Sequence, residues 1–209
     1  MMNKLIIFDL DGVLIDSKEI HFNALNLALS EFGNEFIISR DEQDSTFEGL
    51  TTKSKLKILT KTKNLPESLH YYVWKLKQSY SSALFRSVSV DQELINLFKF
   101  IRSSGIKIAV ASNSIRETLD TCLKSLGLLD LIDYSLSNED VDLPKPSPEM
   151  YNKVIEHFNT TPDKVVIFED SPIGLMAAQA SGAMVEPVRN RSDIWFDRIL
   201  RVVEELNEA

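Results

Sequence analysis

A single cysteine among 209 residues excludes an intramolecular disulfide and fits a reducing compartment without requiring one. No apolar run is long enough to cross a membrane. The opening stretch from Leu5 to Phe8 is short, carries no signal-peptide cleavage pattern and meets two acids at once. The expected location is the cytoplasm, with no membrane partner. Basic residues form no dense run, and a formal net charge of −8 argues against a grip on nucleic-acid phosphates. Internal repeats, low-complexity segments and charge blocks are missing too. An anionic substrate would need local help in such a chain, from a bound divalent cation and one or two well-placed lysines.

What is present is an ordinary globular composition, 44% hydrophobic and 26% charged, long enough for one core or a core with a small accessory domain. Strand signals recur at Lys4 to Phe8, Ile106 to Ala111, Tyr134 to Leu136, Val165 to Phe168 and Ala183 to Val185. Helical patterns fill the gaps, which is the signature of a doubly wound parallel sheet in an α/β fold. Three helix starts are written in capping residues: Ser114 with Glu117, Ser147 with Pro148, and Ser171 with Pro172. Cys122 falls in step with Leu119, Leu123 and Leu126 and is expected to pack in a helix. Trp195 and Phe196 are expected to cover the core near the C-terminal helix. Residues 17 to 86 read differently, with apolar stripes such as Ile20, Ala24, Leu27, Ala28 and Phe32, then Leu56 and Leu59, then Leu69, Val73, Leu76 and Tyr80. The expected division is therefore a core of residues 1–16 and 87–209 with an all-helical insert, 17–86.

The chemistry starts where the first strand stops. Asp9 and Asp11 follow an apolar run suited to a strand buried on both faces, and carboxyl ends of such strands are where open α/β sheets bind ligands. If the chain stays extended through Asp11, both carboxylates turn to one side, and Gly12 lets the chain bend away. Two carboxylates that close need a cation, a shared proton or different jobs. Asp-Gly after an apolar run is also an ordinary hairpin signal. An EF-hand loop fails on spacing, since its glycine stands sixth and Gly12 stands fourth from Asp9.

Three later segments deliver polar residues to the same edge. The second strand stops at Ser112-Asn113, a hydroxyl and an amide for an anion, or else a helix cap. With Ser114 as the expected N-cap, Ser112 and Asn113 have no evident structural task. Val165 to Phe168 ends in Glu169-Asp170, which completes an oxygen-rich site suited to Mg²⁺; acids ahead of a helix also complement its dipole. Lys145 precedes the stiff Pro146-Ser147-Pro148 stretch, which fixes where its ammonium emerges and suits a point-charge contact to a phosphoryl group.

With these residues in order, the chain resembles the haloacid dehalogenase-like superfamily of aspartyl-phosphate enzymes, in its beta-phosphoglucomutase-like group of phosphatases and mutases. The four motifs stand as Asp9-Leu10-Asp11-Gly12-Val13, Ser112-Asn113, Lys145-Pro146, and Glu169-Asp170-Ser171 with Gly174 and Gly182 downstream. The resemblance implies a Rossmann-like core with a helical cap inserted after the first motif. It implies Asp9 as the nucleophile that forms an aspartyl-phosphate, and Asp11 as the acid for the leaving group and then the base for water. Mg²⁺ would be held by Asp9, the backbone carbonyl of Asp11, Asp170 and, directly or through water, Glu169. Ser112, Asn113 and Lys145 would bind the phosphoryl oxygens.

The substrate expected from this resemblance is a small phosphorylated metabolite, a sugar phosphate first of all. Beta-phosphoglucomutase caps carry Gly-x-Ser-Arg-x-x-Ser-Leu; here Gly49-Leu50-Thr51-Thr52-Lys53-Ser54-Lys55-Leu56 puts Thr52 where the arginine would be. That departure favours a hydrolase over a phosphohexomutase, with Lys53 or Lys55 as candidate replacements. His21, early in the first cap helix, is a candidate substrate contact or else a packed or solvated side chain. A phospho-aspartate signalling domain and an idle binding relative are the non-enzyme alternatives; receivers are much shorter and lack a helical insert. Neither substrate identity nor oligomeric state is written in the motifs.

Overall fold

The computed structural model describes residues 3–47 and 50–208, so Gly49 lies outside the described residues. The chain divides into two compact units, Met1–Ser17 with Val88–Ala209, and Lys18–Ser87. In chain order the elements are β1 (Leu5–Phe8), then in the second unit α1 (Lys18–Ser30), a short α2 (Arg40–Glu42), α3 (Thr52–Lys63) and α4 (His70–Arg86). The first unit resumes with α5 (Gln92–Ser103), β2 (Lys107–Ala111), α6 (Arg116–Ser125), β3 (Tyr134–Leu136) and α7 (Glu149–His157). It closes with β4 (Val165–Glu169), α8 (Pro172–Ala180), β5 (Met184–Pro187) and α9 (Phe196–Glu208).

The five strands found among the described residues form one parallel sheet in the order β3-β2-β1-β4-β5. This is the expected α/β core. Leu5, Ile6, Ile7 and Phe8 have no exposed surface, as a central strand covered on both faces demands. Register puts Phe8 level with Val110 on one side and Phe168 on the other. The Phe8 ring stacks between Phe98 and Phe168, 5.0 Å from each, and each such buried ring stabilises the sheet by about 1.5–3 kcal/mol. Alternation sends Ile7 to the opposite face, where it joins Ala109, Ala111 and Ile167 under Met150, Tyr151 and Val154 of α7. Asp9 and Glu169 continue that second face beyond the apolar layer, because the parallel register runs both strands out at one level.

Helix starts are only partly as the capping residues suggest. Ser171 caps α8 by accepting from Gly174 N at 3.1 Å, with Pro172 at the first helical position. The α6 helix begins after Ile115, not after Ser114, because the Ser114 hydroxyl is drawn to Asp11. Glu139 fills the vacant cap, accepting from Arg116 N at 2.8 Å. Pro148 occupies the N-cap of α7, one residue later than expected, although Ser147 Oγ still accepts from Glu149 N at 3.3 Å.

The second unit has its own apolar core of Leu25, Ala28, Leu29, Phe36, Ile38, Phe47, Leu56, Leu59, Leu65 and Val73. Its α1 stripe is rotated from the expected one: Ala24, Leu25, Ala28 and Leu29 are buried, whereas Leu27 is 43% exposed. Burial on α1 extends from Ala24 and Ala28 to their i+1 neighbours, the side that faces this core. Trp195 and Phe196, expected as core covers, remain 43% and 50% exposed. They lie at the N-terminal end of α9, beyond its buried stripe of Ile199, Val202, Val203 and Leu206. Among the described residues no helix is long and apolar enough to cross a membrane.

Candidate active site

The β1 strand ends at Phe8, although Asp9 N still donates to Phe168 O at 2.9 Å. Extended geometry does not continue through Asp11. The chain turns instead, with Leu14 N on Leu10 O at 2.9 Å, Gly12 N on Ile15 O at 2.8 Å, and Asp11 bridged to Ile15. This turn leaves a strand that pairs only in parallel, so it is no hairpin. Gly12 has φ +83°, and a Cβ there would stand 2.0 Å from Asp170 Oδ2. The missing side chain therefore serves two ends: it allows the left-handed bend and makes room for the Asp170 carboxylate.

Lys145 is brought in from the loop before α7. Glu149 steadies that loop by accepting from Asp142 N and Leu143 N, both at 2.9 Å. Asn113 holds the lysine's own backbone from both sides, accepting from Lys145 N at 3.1 Å and donating to Lys145 O at 3.2 Å. The ammonium then donates to Asp9 Oδ1 at 2.6 Å, Glu169 Oε2 at 2.7 Å and Ala111 O at 2.9 Å. All three of its protons are thereby used.

Glu169 is fully buried and saturated with donors. Its Oε1 accepts from Asp170 N, Ser171 N and Ser171 Oγ at 3.0–3.1 Å, and Oε2 from Lys145 Nζ and Tyr151 OH at 2.7 Å. The carboxylate lies flat against Gly174, where a Cβ would fall 2.1 Å from its Cδ. Asp170 differs: its Oδ1 is buried and has no hydrogen-bond partner among the described residues.

The remaining expected residues divide. Ser112, 1% exposed, has a structural task after all, its Oγ accepting from Ser114 N at 3.0 Å. Asn113 likewise has one, through Lys145, for the reading that left both residues idle rested on Ser114 as the cap. Ser114 Oγ donates to Asp11 Oδ2 at 2.9 Å. In the second unit, His21 Nδ1 lies 3.2 Å from the Nζ of buried Lys77, with its ring edge-on to Phe85. Lys53 is exposed in the first turn of α3, and Lys55 donates to Gln43 Oε1 at 3.0 Å. Cys122 is buried, and burial together with the Asp11 charge pushes its thiol far up, which excludes a thiolate nucleophile.

Motif reading missed Ser114, Tyr151 and the Ala111 carbonyl. The first was assigned to a helix cap, the second reads as one more apolar position of α7, and a backbone carbonyl has no sequence signal.

Electrostatically the site is short of positive charge. Burial and the Glu169 charge push Asp9 well above the usual carboxylate value, with Lys145 pulling the other way. Burial works against the Lys145 charge, but Asp9 and Glu169 outweigh it and hold its pKa well above an ordinary lysine's. Burial, then the Glu169 charge, push Asp170 up to about 6. Oxygens of Asp9, Glu169 and Asp170 lie within 4.8 Å of one another. Hard oxygen donors, an unpartnered Asp170 Oδ1 and an excess of negative charge fit a divalent cation such as Mg²⁺.

Residues 6–187 match the family model described as haloacid dehalogenase-like hydrolase. A phosphorylated carbohydrates phosphatase of Thermotoga maritima is 28% identical over 205 residues, covering 98% of this chain and 87% of that protein. Among solved structures, beta-phosphoglucomutase of Clostridium difficile superposes with a TM-score of 0.76 at 22% identity, covering 99% of this chain and 98% of that one. A variant of CbbY from Rhodobacter sphaeroides in complex with xylulose-(1,5)bisphosphate gives 0.76 at 21% identity, with 93% and 91% covered. At such identities the two structures speak for the fold.

Proposed function

The chain belongs to the haloacid dehalogenase-like hydrolases and is a phosphatase of that family, and from that premise we propose that it hydrolyses a small phosphorylated carbohydrate through an aspartyl-phosphate on Asp9, with Mg²⁺ as cofactor. One observation carries the reading: Asp9, Lys145 and Glu169 share a buried ion-pair network at the strand ends, beside an Asp170 oxygen that no hydrogen bond among the described residues satisfies. Among the described residues, the carboxylates of Asp9, Glu169 and Asp170 gather around the Lys145 ammonium with Asp11 close by, so a phosphate dianion meets repulsion there unless a cation offsets it.

In the proposed reaction a carboxylate oxygen of Asp9 attacks phosphorus as the bond to the leaving oxygen breaks. Asp11, oriented by Ser114, gives its proton to that oxygen. Asp11 then takes a proton from water, whose oxygen attacks the aspartyl-phosphate, releasing inorganic phosphate and restoring Asp9. Lys145 exchanges one of its three acceptors for a phosphoryl oxygen and so balances charge on the transferring group. Ser112 supplies a hydroxyl at the end of β2, while Asn113 works through the Lys145 backbone. Asp9 and Asp170, with the Asp11 carbonyl, would hold Mg²⁺, and Glu169, its oxygens already taken by protein donors, would act on it through water; the bound ion would screen the carboxylates from the phosphate and steady charge on its oxygens. The helical unit, residues 18–87, would read the sugar, with His21 and Lys53 as its candidate contacts. A buried lone cysteine fits a reducing cytoplasm as the place of reaction.

The test is phosphate release from a panel of sugar phosphates, with Mg²⁺, with EDTA and with Asp9→Asn. Release should need the metal and vanish in the variant. Turnover that survives Asp9→Asn sinks the nucleophile assignment. Conversion of a hexose 1-phosphate to its 6-phosphate without release would transfer the chemistry to a mutase.

A further inference from the structure

Tyr151 lies on α7 with no exposed surface, packed with Leu5, Ile7, Ala109 and Ile167. A phenylalanine would satisfy that packing equally well. The hydroxyl donates to Glu169 Oε2 at 2.7 Å, and the ring lies beneath the Lys145 ammonium, 4.9 Å from its centroid. Tyr151 thus touches both members of the Lys145–Glu169 pair. Oε2 is shared between the phenol and Lys145 Nζ, while Oε1 is held by Asp170 N, Ser171 N and Ser171 Oγ. A carboxylate offers roughly four lone-pair positions, so these donors fill it. Without the phenol, the other four still fix its orientation, and Gly174 still lies against it.

We propose that Tyr151 is a positioning residue of the site: by occupying Oε2 of Glu169 beside Lys145, its hydroxyl limits the negative charge that this carboxylate presents to a cation at Asp9 and Asp170. The inference rests on the metal reading above. It differs in sign from a general supporting role. Loss of a group that merely orients a metal site weakens the metal by roughly 10–100-fold. Loss of the Tyr151 hydroxyl leaves Glu169 in place and returns charge to it, so the metal binds more tightly. The shift is on the order of tenfold, the factor that a hydrogen bond to a charged group commands.

The experiment titrates substrate-free protein with Mn²⁺ and follows the free ion by electron paramagnetic resonance, in wild type, Tyr151→Phe, Glu169→Gln and the double variant. The expected result is a Kd about tenfold lower in Tyr151→Phe, and no effect of the same substitution in the Glu169→Gln background. Equal or weaker binding in Tyr151→Phe overturns the inference, as does a gain that persists when Glu169 is glutamine. A Tyr151→Phe protein that fails to fold counts against it as well, since the ring carries the packing. Should the wild type take up no Mn²⁺, the metal reading falls and this inference with it. Uptake by the wild type without a gain in Tyr151→Phe overturns this inference alone.

Discussion

Gly12→Ala separates backbone strain from site geometry, because a second glycine supplies the control. Gly12 and Gly105 have φ of +83° and +77°, and an alanine at either must enter the left-handed region, at about 1–2 kcal/mol. For a chain of this length that lowers the melting temperature by about 2–4 °C per kcal/mol. Around the Cβ of an alanine at 105 nothing among the described residues lies within 4 Å, whereas at 12 the new methyl would stand 2.0 Å from Asp170 Oδ2 and 2.4 Å from its Cγ. The methyl and the carboxylate cannot share that space. Asp170 must swing away, carrying off the unpartnered oxygen assigned to the metal. Both variants should therefore melt a few degrees early on heating. Only Gly12→Ala should lose Mn²⁺ uptake and Mg²⁺-dependent phosphate release. Wild-type metal affinity in Gly12→Ala would refute the reasoning, and so would equal losses in Gly105→Ala.

Other outcomes follow from the same geometry. Glycine to alanine within a helix ordinarily stabilises by about 0.5–1 kcal/mol; Gly174→Ala in α8 should instead cost about 1–3 kcal/mol in urea unfolding, because its Cβ would displace the buried Glu169 carboxylate. A gain in stability would show that Glu169 is free to move. Lys145→Met leaves Asp9 and Glu169 buried without their cation and should cost about 3–5 kcal/mol, part of it recovered in saturating Mg²⁺; an unchanged urea midpoint would contradict the network. Hydrogen bonds from the Arg189 side chain and backbone hold Asp193 down at a pKa of about 2, below the unfolded value of about 3.9. A depressed carboxylate stabilises fully above its unfolded pKa and loses that contribution as pH falls toward the folded one. The stability gap between wild type and Asp193→Asn should accordingly close between about pH 4 and pH 2, and a gap constant across that range would refute the assignment.

Much of this was legible before folding because the signals are local. Five strand signals stand in the sequence, and each falls on a parallel strand. Ser171-Pro172 announced α8, and Cys122 fell on a buried helical stripe. The misreadings occur where a side chain had two possible partners. Ser114 has the spacing of a helix cap, yet Asp11, 103 positions away in sequence, takes its hydroxyl. Asn113 holds the Lys145 backbone from both sides, a contact across 32 positions that its place after the second strand does not announce. Leu27 and Leu25 both fit a helix face, and only the packing of the second unit selects Leu25.

The motifs Asp9-Leu10-Asp11-Gly12, Lys145-Pro146 and Glu169-Asp170 by themselves named the groups and the kind of chemistry, since residue type sets charge and strand ends set placement. They did not say how those groups share protons and charge. Tertiary structure decided that Lys145 divides its three protons among Asp9, Glu169 and Ala111, that Tyr151 claims the remaining side of Glu169, and that two glycines clear space for two carboxylates. The reason is that hydrogen-bond partners and steric room belong to distances across the fold, and no spacing along the chain encodes them.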